Sequence, residues 1–405
     1  MRLPVRLLSL VVLMAGAAVV AGEDWPQWRG PRGDGISKES LLDSLQAGGP
    51  TKVWSMKVGQ GYACPIAVNK TLYVFMAEGK KEGLMAIGAE DGKKLWNKSY
   101  DATGLSDGGY KGTRAKPAFE GGKVYTMGGG GQVTCWDTEN AGAIVWQVNV
   151  LKELGASNLG WGTASSPLLE GDRVYVQGGD GGPVAVGIDK KTGKIDWRSE
   201  AKGKSGYAHP IVVDVEGTKV LVVFGGKAVF GIEFDGGKTL WQQPWNTSYD
   251  VNAATPLYRD GHLYVSSGYG HGGMMLKLSA KGAEKEWENK EMASKFQGMI
   301  LDGEFLYGNN SGKLKCLHWP DGKVLWTEDA KLSEGGSLVK AGDKILALSE
   351  RGKLFLFKTD GANHSKLGDA QLFDTDQVWT TPLLYSGKMY AKGGDELVCY
   401  DLNAK

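Results

Sequence analysis

Six side chains that can stack on or hydrogen-bond to a ligand stand shortly before prolines that open strands. Aromatic rings hold planar or sugar-like ligands by stacking, while a guanidinium or an amide orients them through hydrogen bonds. The six residues are Tyr62, Arg114, Trp161, Tyr207, Asn252 and Trp379, with Lys295–Gln297 at the equivalent place in a unit that has no proline. Two interpretations are open: these residues bind a ligand, or they fill the narrow end of a ring-shaped fold.

No catalytic or metal-binding pattern accompanies these positions. The five histidines are scattered without metal-ligand spacing, and only His209 lies beside one of the opening prolines. Neither a G-x-S-x-G pattern nor a pair of carboxylates on one element occurs. Stretches such as Asp189–Gly193 indicate hairpin turns, because a calcium loop needs a denser set of carboxylates. The sequence therefore predicts no catalytic residue, no metal site and no cofactor.

An internal repeat supplies the elements that position these residues. Prolines open six units, and in five of them a tyrosine follows eight residues later; two further units, 299–308 and 338–348, keep the pattern without the proline. Residues 166–197 show the complete unit of four short strands and Gly-rich turns. Such a unit cannot bury both of its faces alone, so its neighbours must supply the rest of the core. The repeat predicts an all-β fold, an eight-bladed β-propeller of four-stranded antiparallel blades.

A tryptophan closes seven of these units. Successive closing tryptophans lie 42, 50, 51, 44, 46 and 39 residues apart, close to the length of a propeller blade. They are Trp54, Trp96, Trp146, Trp197, Trp241, Trp287 and Trp326. We predict that each of them has a structural docking role. The seventh unit lacks this tryptophan at 363–371, and we expect its blade to be irregular.

The two ends of the repeat complement each other. Trp54 precedes the first opening proline, Pro65, and the last unit has only three strands before the chain ends. Placing Lys52–Val58 beside Glu396–Leu402 would complete the last blade and remove the exposed edges of an open array. We therefore predict a ring that the N-terminal strand closes.

The N-terminus has the pattern of an export signal. Arg2 and Arg6 precede an apolar run that small residues follow, so we expect a signal peptide at 1–22, an N-terminal arm at 23–50 and the propeller at 51–405. The signal peptide predicts a periplasmic, envelope or secreted protein. We also expect a monomer that has no transmembrane segment after the signal peptide is cleaved. With 47 basic and 46 acidic residues, the chain shows no charge bias toward nucleic acid or an anionic membrane.

The cysteines and the arm allow two narrower expectations. Four cysteines in an exported chain suggest disulfides, but Cys135, Cys316 and Cys399 share one third-strand position, where other units have alanine or glycine. That place favours small, reduced, buried thiols.

For the arm we expect Trp25 and Trp28 to pack on the outside of the propeller or across one face, with a recognition element as the alternative.

The repeat ending resembles a known family. Gly187–Trp197, and more loosely Ala86–Trp96, is similar to the tryptophan-docking repeat of pyrroloquinoline quinone (PQQ)-type propellers, over about residues 51–405. The arm, with its W-P-x-W-R-G-P pattern, resembles the start of exported PQQ-like repeat proteins of planctomycete-type bacteria. The resemblance implies eight four-stranded blades with each closing tryptophan packed between neighbours. In size the chain is similar to the outer-membrane assembly lipoprotein propeller, a non-enzymatic scaffold, although it lacks the lipid-bearing cysteine.

The resemblance implies less about activity than about fold. Quinoprotein alcohol dehydrogenases of this family have an adjacent cysteine pair beneath the cofactor, and this chain has no such pair. The leading hypothesis is an exported, non-catalytic propeller that binds another envelope protein or a small ligand. Two alternatives stay open: a PQQ-dependent quinoprotein dehydrogenase, which would use PQQ with calcium, and a carbohydrate-binding module that uses the aromatic residues near the prolines.

Overall fold

A computed structural model describes residues 22–102, 110–296 and 298–403 of the chain. The predicted signal peptide, apart from Gly22, lies outside the described residues, as does Gln297. Across the described ranges the strands form eight four-stranded antiparallel blades. This confirms the predicted eight-bladed β-propeller. None of the helices in these ranges is long and apolar enough to span a bilayer.

Seven blades use four strands in chain order from the channel outward, and the eighth takes its outer strand from the N-terminal side. From inner to outer strand the blades are: blade 1, Ile66–Val68, Thr71–Glu78, Lys81–Gly88 and Lys94–Asp101; blade 2, Ala118–Glu120, Lys123–Met127, Gln132–Asp137 and Ala143–Asn149; blade 3, Leu168–Glu170, Arg173–Gln177, Ala185–Asp189 and Ile195–Arg198; blade 4, Ile211–Val215, Thr218–Phe224, Ala228–Glu233 and Thr239–Pro244; blade 5, Leu257–Arg259, His262–Ser267, Gly272–Ser279 and Gly282–Asn289; blade 6, Ile300–Asp302, Phe305–Asn310, Lys313–His318 and Val324–Glu328; blade 7, Ser337–Ala341, Lys344–Leu348, Lys353–Thr359 and His364–Gln371; blade 8, Leu383–Tyr385, Lys388–Gly393, Glu396–Asp401 and Thr51–Lys57.

Short elements complete the described structure. A helix at Val150–Leu154 follows blade 2, a 3-10 turn covers Ser248–Asp250, and Gly182–Pro183 pairs with Lys202–Gly203. The two middle strands of each blade are buried on both faces, while the outer strands are largely exposed. The core therefore lies between neighbouring blades.

Trp146 shows how a closing tryptophan links two blades. It lies opposite Cys135 in its own blade, and its Nε1 donates to the carbonyl of Lys190 in blade 3, 2.9 Å away. The ring covers Gly193, which has φ 71° and where a Cβ would come within 2.7 Å of the indole. A glycine is needed at this turn both for the left-handed backbone and for the space.

The other closing tryptophans dock in the same way but differ in the hydrogen bond of the indole nitrogen. Trp54, Trp197, Trp287 and Trp326 likewise donate Nε1 to a carbonyl in the following blade. The ring of Trp96 packs against Gly142 of blade 2. The Nε1 of Trp241 is buried without a hydrogen-bond partner among the described residues.

The ring closes as predicted. Thr51–Lys57 pairs antiparallel with Glu396–Asp401, in a register that puts Trp54 opposite Cys399. Blade 7, in contrast, is regular, so the expected irregularity is wrong. His364–Gln371 pairs with Lys353–Thr359 from end to end, with the one register shift that the outer strand pair of every other blade also has. Backbone hydrogen bonds need no tryptophan, and the ring of His364 stacks on Trp326 at 4.2 Å.

All four cysteines are free and buried. Cys135, Cys316 and Cys399 each lie between a second-strand tyrosine and a fourth-strand tryptophan of the same blade. This cross-strand position has little room, which explains the small side chain.

The N-terminal arm does not pack Trp25 and Trp28 on the outside of the propeller: its first part enters the central channel, and only its later part, at Leu45, reaches the outer strand of blade 7. Trp25 pairs with Ala67 on the inner strand of blade 1, while Ile36–Ser37 pairs in parallel with the inner strand of blade 7. Between them, the Arg29 guanidinium donates to the carbonyl of Met299 beside blade 6. A short segment that reaches the inner strands of blades on several sides must lie inside the ring. The arm thus fills the channel, which propellers otherwise fill with side chains.

Candidate functional site

A cavity of about 290 Å³ opens above the arm at one mouth of the channel. The connections between blades and the turns between second and third strands surround this mouth. The wall consists of Trp28, Tyr62, Tyr110, Arg114, Trp161, Ala164, Ser166, Tyr207, Val251, Ala253, Tyr269, Lys295, Phe296, Glu350 and Trp379. Five of the six residues singled out in the sequence lie on this wall.

Asn252 is the sixth, and the structure does not bring it to the cavity. Its side chain is 0% exposed and donates to the carbonyls of Gly225 and Gly226. Its amide oxygen accepts from Thr247 and Ser267. With its hydrogen bonds satisfied in this way, Asn252 supports the loop rather than facing a ligand.

Trp379 is the centre of the aromatic wall. The centroid of its ring lies 4.8 Å from that of Tyr62 and 5.1 Å from those of Tyr110 and Phe296. Tyr110 in turn meets Trp161 edge to face at 5.6 Å. Rings from five separate blade connections therefore pack into one continuous surface, where they hold one another in position.

Arg114 supplies a positive charge to this wall. Its two terminal nitrogens donate to the carbonyls of Gly112 and Tyr110, at 3.0 and 2.6 Å, and the guanidinium lies 5.7 Å above the ring of Tyr62. Burial lowers the pKa of Arg114, but an arginine remains protonated at neutral pH. Among the described residues no carboxylate lies within ion-pair distance of it, and the buried carboxylate of Glu82 acts on it only at longer range.

The other charged groups of the wall have partners. Lys295 forms an ion pair with Glu334 at 2.7 Å and lies 4.2 Å above the ring of Tyr269. Glu350 accepts from the indole nitrogen of Trp379 at 2.7 Å and from the backbone of Gly335 at 3.2 Å. These contacts fix the wall residues and leave Arg114 as the one described wall cation without a carboxylate partner.

Two of the phenols on the wall are held in the neutral form by burial. Burial raises the pKa of Tyr62 and of Tyr207 above the ordinary value. The Tyr62 hydroxyl donates to the side chain of Gln377 at 3.2 Å.

Sequence reasoning missed several wall residues. Trp28 belongs to the arm, and its Nε1 donates to Thr255 at 2.8 Å, so its ring forms the floor of the cavity. Tyr269 and Glu350 belong to turns between second and third strands. No fixed spacing marks these turn positions. The tryptophan-rich arm ahead of a ring with an unfilled centre is the signal that points to Trp28.

The wall does not match the donor set for PQQ with calcium. A calcium ion takes six to eight oxygen ligands, mostly carboxylates and carbonyls. Glu350 is the one carboxylate among the described wall residues, and Trp379 and Gly335 already occupy its oxygens. Nowhere in the described ranges do three acidic, histidine or cysteine side chains cluster as metal ligands. The described wall residues therefore do not fit PQQ with calcium.

Comparison with known proteins places the chain among relatives of similar architecture. It is 25% identical to the outer membrane protein assembly factor BamB of Salmonella typhimurium over 410 aligned residues, which cover 96% of this chain and 95% of the relative. For the protein of the same name from Yersinia pestis the identity is 24%, and the match spans 58% of this chain and little more than half, 56%, of the relative.

Solved structures share the fold. The BamB structure from Moraxella catarrhalis superposes with a TM-score of 0.63 at 17% identity, covering 87% of this chain and 99% of the other. A europium-containing methanol dehydrogenase gives a TM-score of 0.70 at 13% identity and covers 95% and 99%. Identities this low establish common architecture only.

The family assignment comes from a profile match. The profile described as outer membrane protein assembly factor BamB matches residues 108–328, more than half of the chain. The protein therefore belongs to this family of PQQ-like β-propellers.

Proposed function

We propose that this chain is an exported, non-catalytic propeller that binds a segment of another envelope protein in the aromatic cavity. The observation that carries the proposal is Arg114, a guanidinium that forms no ion pair with the described residues and is set in an aromatic wall that is open to solvent. Such a wall suits a side chain that is apolar or aromatic with an acidic group beside it. The affiliation with a family described as assembly factors supports a binding role over a catalytic one.

The rim of the cavity adds a second contact surface. Tyr249 is 76% exposed and has φ 63°, a conformation that costs a non-glycine residue about 1–3 kcal/mol. Asp250 beside it is fixed by ion pairs to Lys204 and Lys227, and the ring of Tyr249 meets Tyr269 of the wall edge to face at 5.7 Å. Exposed, rigidly held tyrosines are typical of protein-binding surfaces.

Co-purification from an envelope extract tests the proposal. The bait proteins are the wild type, a cavity double variant Trp161→Ala with Arg114→Gln, and a matched control, Leu95→Ser, at an exposed position on the outer strand of blade 1. We expect a polypeptide that the wild type and Leu95→Ser retain and the cavity variant loses. Identical recovery with all three baits would contradict the assignment of the cavity.

Two parallel assays address the remaining classes of ligand. Titration with PQQ and calcium, followed by dye reduction with alcohols and sugars, tests the dehydrogenase. A glycan array tests sugar stacking on the indoles of the wall. Binding in either assay that Trp161→Ala abolishes, without a protein partner in the co-purification, would replace the proposed function.

A further inference from the structure

A second, much smaller chamber lies inside the channel beneath Trp28. Trp25, Trp28, Arg29, Gly35, Lys116, Gly298, Leu338, Val339 and Thr381 form its wall. Trp28 also floors the aromatic cavity, so its ring separates the two spaces. The chamber is therefore a separate space that shares Trp28 with the proposed partner site.

Three hydrogen-bond donors on this wall have no acceptor in the described part of the protein. The Nε1 of Trp25 is buried without a partner. The ammonium of Lys116, a residue only 2% exposed, makes no hydrogen bond or ion pair there and lies 5.9 Å from the centre of the Trp25 ring. Arg29 donates through Nε and Nη2 to carbonyls of the arm and of Met299, while its Nη1 has no acceptor.

Asp34 is the carboxylate that interacts with Arg29, and it is already paired with Arg32 at 3.0 Å. No described carboxylate balances Lys116. The chamber wall has no carboxylate. The nearby thiol of Cys64 donates to the carbonyl of Thr381, and burial raises its pKa, so it stays protonated. His209 lies close enough to Arg29 for their charges to interact. Burial lowers the pKa of His209 to about 4, so its imidazole is neutral at pH 7. Burial lowers the pKa of Lys116, because a buried charge without a counter-charge is strongly unfavourable; a bound anion would favour the charged form.

We propose that this chamber binds a single-atom anion, chloride or another halide, between Trp25 and Lys116 and within the field of Arg29. Donors without acceptors, two of them cationic, select an anion over a cation or a neutral molecule. The chamber holds about 10 Å³, roughly one water-sized sphere. Phosphate and sulfate are too large for this volume. The apolar side chains of Leu338 and Val339 favour a weakly hydrated ion.

Anomalous diffraction from crystals of the protein soaked in sodium bromide tests the site directly. We expect a bromide peak in the chamber of the wild type and none in Lys116→Met. Density for a water molecule alone in the wild type, or a peak that persists in Lys116→Met, would overturn the proposal.

A thermal titration provides the second readout. At constant ionic strength, replacing gluconate by bromide should raise the wild-type Tm by about 2 °C per tenfold concentration above the Kd. Lys116→Met should abolish this rise. Lys392→Met is the matched control, because Lys392 is equally buried but donates to the carbonyls of Gly61 and Gly394, so it should keep the rise.

Trp25→Phe covers the case in which Lys116→Met does not fold. It keeps the aromatic ring and removes the indole donor, so the bromide dependence should shift to higher concentrations. An identical titration for Trp25→Phe and the wild type, or a Tm of the wild type that bromide does not change, would contradict the halide site.

Discussion

Replacing closing tryptophans by phenylalanine should show that their docking depends on one hydrogen bond. Trp146→Phe removes the donor to the carbonyl of Lys190, while Trp241→Phe removes an indole nitrogen that has no partner among the described residues. Both tryptophans are buried and lose the same apolar area in the exchange. The pair of variants therefore isolates the polar contribution.

The magnitude follows from the contacts. A net hydrogen bond is worth about 1 kcal/mol, and a buried unpaired donor costs about 1–3 kcal/mol. Trp146→Phe loses the first term, whereas Trp241→Phe is relieved of the second. We expect Trp146→Phe to lower the free energy of unfolding by about 2 kcal/mol more than Trp241→Phe does.

Equilibrium unfolding in urea measures this difference, provided that the m-values of the two variants agree. Equal destabilisation by the two substitutions would refute the reasoning, because it would mean that burial of the ring alone decides the docking energy. A larger loss for Trp241→Phe would contradict the assigned hydrogen bonds as well.

Three further predictions concern ring closure, pH and the division between site and scaffold. Deleting residues 51–58 removes the outer strand of blade 8, so Tm should fall by at least about 5 °C; an unchanged Tm would rule out the closure. The pKa of buried His209 is about 4 against an ordinary 6.5, so the unfolded chain takes up a proton between these values that the folded chain refuses. Stability should be full above pH 6.5 and fall by about 3 kcal/mol as pH drops to 4; His209→Gln should flatten this slope in pH-dependent urea unfolding, and an equal slope in both proteins would contradict it. Asn252→Ala should lower stability and, when folded, retain the partner, whereas Trp161→Ala should lose the partner and retain stability; co-purification and thermal melts of both variants would reveal the opposite pattern if the site were misassigned.

The propeller architecture could be predicted from the sequence because the residues that build each blade recur at regular intervals. Most blades have an opening proline, a second-strand tyrosine and a closing tryptophan, and these recur at blade length. The incomplete first and last units indicated the closure between Thr51–Lys57 and Glu396–Asp401. Blade 7 shows the limit of this argument, since strand pairing persists where the tryptophan is missing.

The candidate site could be predicted from the sequence only in part. Residues before the opening prolines reach the channel mouth because the connections from outer to inner strands end there, and Arg114 and Trp379 accordingly line the cavity. Asn252 follows the same spacing, but its amide satisfies neighbouring carbonyls instead. The path of the arm into the channel depends on backbone pairing with distant inner strands, which no local pattern of Trp25 and Trp28 encodes.

Site-specific photo-crosslinking tests the central claim, that the aromatic cavity is where a protein partner docks. A benzophenone amino acid in place of Phe296 puts the crosslinker on the cavity wall, and the same group in place of Leu95, 56% exposed on the outer strand of blade 1, serves as the control. We expect one crosslinked polypeptide from the cavity position, lost when Trp161→Ala is combined with it, and none of it from the Leu95 position. Crosslinks from Leu95 alone, or the same products from both positions, would contradict the account.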